Sequence, residues 1–247
     1  MLFDYGDTLV VTKKLVDEIT PIALKESFKV FVRNGLSMGY TKFAEYDRIV
    51  FENYAKLEKV QKRDIPDLVK YDELVNLVLP GLAPAKQERI ATEADTAFWG
   101  VIAKSYSLRK EARSSLMRLK KLGMSMGVVS NHHNADALKD HLRTLGISSY
   151  FSDITASSEL LFRKPDARIF RRSATLLHVK PSEAVFVGDS PAVDIVGAGG
   201  VGMLTVMVVN SAKEVGSSGV SPTTPDYVVR DLREVPEIVE RLNRSTP

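Results

Sequence analysis

The sequence has no cysteine and no long apolar run, and each absence excludes a class of protein. Without cysteine among its 247 residues, the chain can form no disulfide, thiolate nucleophile, Cys-ligated zinc site or iron–sulfur cluster. No apolar run reaches the ~18 residues that a membrane span needs. The first residues, Met1 to Asp4, resemble neither a signal peptide nor a transit peptide. The sequence therefore predicts a soluble, cytoplasmic protein with no membrane partner.

The sequence also lacks a strong excess of either charge. It has 34 Lys+Arg against 31 Asp+Glu, a formal net charge of +3. The basic pairs at 13–14, 120–121 and 171–172 are too dispersed for a nucleic-acid-binding stripe, so we expect no nucleic-acid partner. Hydrophobic residues make up 44% of the chain and charged residues 26%, which is ordinary for a globular protein. This length predicts one large domain or two modest ones.

The first part of the chain has a helical pattern. Between residues 15 and 104 apolar residues recur at three- and four-residue spacing, which predicts four helices. Their apolar stripes lie around residues 24–31, 43–57, 68–79 and 90–101. The first helix is expected to begin at Thr20 and Pro21 and to end at Gly35. We assign Trp99 and the aromatic stripes of this segment to its own core.

From about Leu108 the pattern changes to short apolar strands that alternate with helices. The predicted strands lie near residues 124–129, 151–155, 184–187, 203–209 and 227–229. Such alternation is typical of a parallel sheet with helices on both faces. The stretch 215–225, rich in Gly, Ser and Pro, is predicted to be a loop.

The spacing of the first two strands predicts an insertion. The first strand ends at Phe3 and Asp4 and the next ends at Ser130, whereas a βαβ unit needs only about 30 residues. The surplus matches the helical part of the chain, so we expect a helical cap domain, 14–104, inserted into a core formed by 1–13 and 105–247. Since a mean strand has about 5–6 residues, the first strand is truncated or the chain begins late.

Polar residues follow several of the predicted strands at their carboxyl ends, where open α/β sheets place their sites. The clusters are Asp4 to Thr8, Ser130 with Asn131, Lys164 with Pro165, and Gly188 to Ser190 with Asp194. Three carboxylates, those of Asp4, Asp189 and Asp194, provide the hard oxygen ligands that suit Mg²⁺. A lysine can neutralise a phosphoryl oxygen, and a carboxylate can act as a nucleophile.

The order and spacing of these residues resemble the haloacid dehalogenase superfamily of hydrolases, in the branch with a helical cap inserted after the first motif. The resemblance covers almost the whole chain and implies a Rossmann-like parallel sheet with an all-helical cap. It matches Asp4 to the family nucleophile, Ser130 to the second motif and Lys164 to the third. It matches Asp189 and Asp194 to the acidic pair of the fourth motif.

The acidic pair separates branches within that family, because dehalogenases need no metal and phosphate-transferring members keep the pair. The resemblance therefore implies a Mg²⁺-dependent phosphatase of a small phosphorylated metabolite, which works through an aspartyl-phosphate. It implies catalysis by Asp4, Ser130 and Lys164. Substrate would be bound by Ser130, Asn131 and Lys164, and the metal by Asp4, Gly6, Asp189 and Asp194.

Gly6 departs from the family pattern. The phosphatases have an aspartate at this position, two residues after the nucleophile, and it serves as the general acid and base. The backbone carbonyl of Gly6 can still bind the metal. Asp7 could replace the missing acid, but on an extended backbone it would point elsewhere. His132 and His133 are further candidates, although adjacent histidines in a polar loop are usually solvated, while His141 and His178 are expected to be structural.

Two other functions remain open at this point. The same nucleophile could cleave a carbon–halogen or carbon–phosphorus bond, for which the missing acid matters less. Alternatively, the chain could be a catalytically weak relative that binds a metabolite or a partner protein. Release of phosphate or halide, with and without Mg²⁺, separates the two enzymatic functions, and tight metabolite binding without turnover would favour the third.

Overall fold

The computed structural model describes residues 1–12, 16–61, 63–209 and 224–245. The strands of this part are β1 (Leu2–Phe3), β2 (Val10–Thr12), β3 (Tyr106–Leu108), β4 (Gly127–Ser130), β5 (Asp153–Ala156), β6 (Val185–Gly188), β7 (Leu204–Val208) and β8 (Tyr227–Val229). Its α-helices are α1 (Val16–Arg33), α2 (Tyr40–Gln61), α3 (Asp67–Val78), α4 (Pro84–Ser105), α5 (Ala112–Lys121), α6 (Ala135–Thr144), α7 (Ser157–Leu160), α8 (Ala167–Leu176), α9 (Val196–Gly199) and α10 (Glu234–Ser245).

Six strands form one parallel sheet in the order β5-β4-β1-β6-β7-β8. The first strand is therefore central, and Phe3 pairs with Val128 on one side and Val187 on the other. Because side chains alternate along a strand, Phe3 packs in the core that includes α5, α6 and α10, while Leu2 packs in the core beneath α8 and α9. The prediction of a parallel sheet with helices on both faces is confirmed.

The four helices α1 to α4 pack around a separate core, in which Phe31, Phe43, Tyr71 and Ile90 are all buried. The rings of Phe31 and Phe43 lie 4.8 Å apart. These helices form the expected inserted cap. The boundary expected between residues 13 and 14 lies outside the described residues, so the bounds 14–104 stay a prediction.

The expected start of the first helix is wrong. Helix α1 is already formed at Val16, and Pro21 lies inside it. Proline has no N–H to donate to the carbonyl four residues earlier, so the helix loses one hydrogen bond there and still continues. Gly35 does follow the end of the helix, in a left-handed conformation with a φ of 102°.

The sequence analysis missed a two-stranded antiparallel ribbon of β2 and β3, in which Val10 pairs with Leu108 and Thr12 with Tyr106. Three-residue strands are too short to give a recognisable alternation. The ribbon carries both connections between the sheet and the cap helices, and it brings Tyr106 towards the carboxyl end of β1, where the ring of Tyr5 lies 6.0 Å away.

One further element differs from its sequence pattern. The run of small residues at 192–199 predicts an α-helix, and the structure has a π-helix, Pro191–Ile195, that runs into α9. Most of the loop expected at 215–225 falls on residues 210–223, outside the described part of the chain. Across the described ranges, every helix is too short or too polar to cross a membrane.

Candidate active site

The fold brings three of the predicted site residues together at one edge of the sheet. Asp4 directly follows β1, Ser130 ends β4, and Asp189 directly follows β6. Because these strands are parallel neighbours, their carboxyl ends meet, and the Asp4 N–H donates to the carbonyl of Val187 over 2.8 Å. The backbone of the candidate nucleophile is thus fixed by the sheet itself.

Lys164 reaches the same place from the loop before α8. Its Nζ lies 2.5 Å from Asp4 Oδ1 and 2.7 Å from Asp194 Oδ1, and the side chain is almost completely buried. Asn131 fixes the backbone of this lysine, since its Oδ1 accepts from the Lys164 N–H over 2.8 Å and its Nδ2 donates to the Lys164 carbonyl over 3.0 Å. The Asn131 side chain therefore positions Lys164.

Burial and neighbouring charges shift the pKa values of Asp4, Asp189 and Lys164. Burial raises the pKa of Asp4 to about 6, with the Lys164 charge opposing the shift and the Asp194 charge adding to it. Burial and the neighbouring carboxylates of Asp4 and Asp194 raise the pKa of Asp189 to about 7. Burial opposes the charge of Lys164, yet the two carboxylates beside it raise its pKa. Negative charge therefore exceeds positive charge at this site.

The three carboxylates have the donor chemistry of a divalent-cation site. One oxygen from each of Asp4, Asp189 and Asp194 lies within 4.8 Å of the others. Asp189 accepts a long hydrogen bond, 3.4 Å, from the Thr8 hydroxyl. A hard cation with oxygen ligands would compensate the excess charge, so the residues present fit Mg²⁺.

Asp194 is held at the site by an unusual local backbone. It lies on the π-helix after β6, where its Oδ2 accepts from the Ser190 N–H over 3.1 Å. A Cβ at Gly188 would come within 2.5 Å of the same oxygen. Glycine at the end of β6 is therefore required for Asp194 to pack against the strand.

These groups open into a cavity of about 230 Å³. Its lining consists of Asp4, Tyr5, Gly6, Trp99, Tyr106, Ser130, Asn131, His132, Lys164, Asp189, Ser190, Val193 and Asp194. The assignment of Trp99 to the cap core alone is wrong, because its indole also forms a wall of this cavity. The expectation of a solvated His132 is also wrong, because this residue is only 9% exposed. In both cases cap and core pack together over the sheet edge, which helical periodicity does not reveal.

Gly6 and Asp7 differ in their access to this cavity. Among the described residues, no heavy atom would lie within 4 Å of a Cβ at Gly6. The φ of Gly6 is not in the left-handed region. Asp7 is exposed, adopts a left-handed φ of 49°, and stands outside the cavity lining. The Asp7 carbonyl accepts from Arg109 over 2.5 Å. The backbone thus directs Asp7 away from the place that Gly6 leaves open.

His141 is structural, as expected, because its Nδ1 is hydrogen-bonded to the hydroxyl of Tyr5. Tyr5 itself follows Asp4 directly and lines the cavity. The pair joins α6 to the loop after β1. His178 is exposed and adopts a left-handed φ of 57° at the end of α8.

A second charged cluster joins the cap to the core, and we name it the cap–core latch: Glu58, Asp64, Asp67, Lys70 and His133. Within the cap, Lys70 Nζ lies 3.0 Å from Glu58 and 3.1 Å from Asp67. Across the interface, the His133 carbonyl accepts from the Asp67 N–H over 3.1 Å. His133 Nδ1 lies 3.5 Å from the buried carboxylate of Asp64.

Asp64 makes further contacts to the core. Its carboxylate accepts from the hydroxyl of Ser157 and lies 3.5 Å from Arg163. Its N–H donates to the carbonyl of Leu161 over 3.1 Å. No motif in the sequence indicated this residue, which stands in a polar loop between α2 and α3.

Known proteins match the chain in sequence. The family model described as haloacid dehalogenase-like hydrolase matches residues 1–202. The chain is 27% identical over 245 residues to the glyceraldehyde 3-phosphate phosphatase of Methanopyrus kandleri, covering 99% of this chain and 98% of the relative. It is 33% identical over 134 residues to the phosphoserine phosphatase of Thermus thermophilus, covering 53% of this chain and 50% of the relative.

Solved structures share the fold over nearly the whole chain. The 2-haloacid dehalogenase from Pseudomonas syringae pv. Tomato DC3000 gives a TM-score of 0.71 at 22% identity, covering 98% of this chain and 97% of the other. A HAD phosphatase from Thermococcus onnurineus gives 0.59 at 21% identity, covering 96% of each chain. At these identities the likeness concerns the architecture of sheet and cap.

Proposed function

We propose a phosphatase activity for this chain, which belongs to the haloacid dehalogenase-like hydrolase family. The substrate would be the phosphate monoester of a small metabolite, and glyceraldehyde 3-phosphate is the first candidate because the relatives similar over the full length act on it. The observation that carries this proposal is the buried carboxylate of Asp4, paired with Lys164 beside the acidic pair Asp189 and Asp194.

In the proposed reaction Asp4 is the nucleophile. The carboxylate oxygen that Lys164 does not bind attacks phosphorus in line, and the bond from phosphorus to the leaving oxygen breaks. The leaving oxygen keeps the electron pair and takes a proton from water, because Gly6 has no carboxyl group to supply one and, among the described residues, no atom lies within 4 Å of where its Cβ would be. Water then attacks the aspartyl-phosphate, which releases phosphate and restores the carboxylate of Asp4.

The remaining residues would stabilise the charge on the phosphoryl group. Lys164 supplies a fixed positive charge, the Ser130 hydroxyl donates a hydrogen bond, and Asn131 contributes its backbone N–H. We propose Mg²⁺ as the cofactor, held by Asp4, Asp189, Asp194 and the carbonyl of Gly6. When bound, this ion would polarise the phosphoryl oxygens as a Lewis acid. The location in the cytoplasm stays a prediction from the sequence.

Release of inorganic phosphate from a panel of small phosphorylated metabolites, with Mg²⁺ present, tests this proposal. We expect turnover of glyceraldehyde 3-phosphate and of phenyl phosphate. Because Gly6 replaces the carboxylate that phosphate-ester cleavage uses, halide release from a 2-haloacid is measured in parallel. Halide release without any phosphate release would contradict the phosphatase function.

A further inference from the structure

His132 lines the cavity but has no role in the proposed mechanism. Its ring lies between two aromatic rings, 4.2 Å from that of Trp99 and 6.2 Å from that of Tyr5, measured between centroids. The side chain is only 9% exposed, and it lines the same cavity as Asp4. This packing leaves the imidazole little freedom to turn.

The hydrogen bonding of His132 determines its tautomer. The Asn134 N–H donates to Nδ1 over 3.1 Å, so Nδ1 must present a lone pair and the proton lies on Nε2. Among the described residues Nε2 has no hydrogen-bond partner. Burial, together with the charges of His133 and His141, lowers the pKa of this imidazole to about 3. The ring is neutral at physiological pH and therefore does not serve as the missing general acid.

The charges around the cavity limit what the leaving group can carry. Among the described lining residues Lys164 is the one cation, and Asp4 and Asp194 already flank it. A carboxylate or a second phosphate on the substrate would be buried near three aspartates without a cation of its own, which is costly. At about 230 Å³ the cavity is also smaller than the ~300–1,000 Å³ of ordinary ligand pockets, which favours small substrates.

We propose that His132 is a specificity-determining residue, whose Nε2–H donates a hydrogen bond to an uncharged carbonyl or hydroxyl oxygen of the leaving group. The preferred substrates are then phosphate monoesters of small aldehydes or polyols. Esters that also carry a carboxylate or a second phosphate are disfavoured. This inference rests on the proposed phosphatase function. It adds a substrate class and names His132 as the residue that selects it.

Two esters with the same carbon skeleton test the class. Glyceraldehyde 3-phosphate and 3-phosphoglycerate differ only in having an aldehyde or a carboxylate at one carbon. We expect the wild-type kcat/KM to be at least about tenfold higher for the aldehyde, because a buried anion without a partner is destabilised. Equal kcat/KM values, or a preference for the carboxylate, would overturn the inference.

A matched pair of variants tests the residue. His132→Phe keeps a ring against Trp99 and removes the donor, so kcat/KM for glyceraldehyde 3-phosphate should fall on the order of 10- to 100-fold. Phenyl phosphate, whose leaving group offers no comparable acceptor, should lose less than about threefold. His133→Phe, one residue further and outside this cavity, should leave the ratio of the two substrates unchanged. An unchanged ratio in a folded His132→Phe protein would refute the role of His132.

The same assays test the phosphatase function and the substrate class separately. Phosphate release from any of these esters by the wild type supports the phosphatase function, and its absence from all of them with Mg²⁺ present would refute that function. Hydrolysis of phenyl phosphate without discrimination between aldehyde and carboxylate would refute only the substrate class. If His132→Phe does not fold, His132→Gln is used, because it keeps an N–H donor and should lose less of the ratio than His132→Ala.

Discussion

In the part of the chain that the structure describes, two groups of neighbouring carboxylates each contain one lysine, and their surroundings differ. In the candidate active site, Lys164 bridges Asp4 and Asp194, while the Thr8 hydroxyl donates a long hydrogen bond to Asp189. In the cap–core latch, Lys70 bridges Glu58 and Asp67, and Asp64 is bound by hydroxyl and guanidinium groups.

The hydrogen-bond partners explain why one group suits chemistry and the other suits structure. In the latch, Glu58 also accepts from the Ile65 N–H over 3.0 Å, and Asp67 accepts from the Trp99 indole over 3.2 Å. These two carboxylates are bound by groups of the cap, and the carboxylate of Asp64 contacts Ser157 and Arg163 of the core. At the candidate active site, burial and the neighbouring carboxyl groups raise the pKa of Asp189, and the cavity beside it admits other molecules. The hydrogen-bond and ionic partners of a carboxylate cluster thus decide whether it stabilises the fold or is available to bind a ligand.

Removing the nucleophile should have the largest effect on activity. Asp4→Asn keeps nearly the same volume but cannot form the covalent intermediate, so kcat should fall by about 10⁴-fold or more. Phosphate release and thermal unfolding are measured on the same preparation. More than a few per cent of wild-type activity in the folded variant would exclude covalent catalysis by Asp4.

Disrupting the cap–core latch should lower the stability of the protein but leave its activity nearly unchanged. Asp64→Ala leaves the hydroxyl of Ser157, the guanidinium of Arg163 and the imidazole of His133 without this partner, so the free energy of unfolding should fall by about 3 kcal/mol. Urea unfolding measures this loss, and kcat for phenyl phosphate should stay within about threefold. Asp64→Asn, which keeps an acceptor for Ser157, should lose less stability. Equal stability of all three proteins would show that the latch does not hold the cap.

Removing divalent cations should affect only the active-site group. Chelation should lower kcat by at least about 100-fold, and added Mg²⁺ should restore it. Calorimetric titration should find that Asp189→Asn weakens Mg²⁺ binding, whereas Glu58→Gln in the latch leaves it unchanged. Full activity after exhaustive EDTA treatment would instead favour dehalogenation.

The smallest expected effect comes from adding a carboxylate to the active-site group. Gly6→Asp is sterically feasible, since a Cβ there has open space and the backbone is not left-handed. A carboxylic acid at this place should protonate a poor leaving group, so turnover of an alkyl phosphate should rise about tenfold relative to an aryl phosphate. If the ratio of kcat/KM values does not change in a folded variant that binds metal, another group already supplies the proton.

The sequence was sufficient to predict the sheet and the convergence of its polar clusters. Asp4, Ser130 and Asp189 each end or follow a strand, and parallel strands place such residues at one edge wherever the chain goes between them. The helix α3 was also predicted closely, because its apolar spacing is regular, and the strand β8 was predicted from its unbroken apolar run. These features depend on local pattern and on connectivity, both of which can be read from the chain.

Features that depend on docking could not be predicted in this way. Trp99 lies on the side of α4 opposite to the apolar stripe that includes Ile90 and Ala94, and the sequence does not tell what covers it. The loop residue Asp64 looks like an ordinary exposed charge until Ser157 of the core packs against it. His132 is buried by the same docking. Packing of the cap on the core therefore forms the walls of the cavity, whereas the strands of the sheet position its reactive groups.

The short ribbon of β2 and β3 has a consequence for how such an enzyme can evolve. Val10 and Leu108 are direct partners in the ribbon, so the chain leaves the core and returns to it at neighbouring points. A segment whose ends are this close can be exchanged for another without separating the strands that carry Asp4 and Asp189. Everything between Thr12 and Tyr106 is then a replaceable module, and a lineage can acquire new substrates by recombination there while its bond-breaking chemistry is inherited intact.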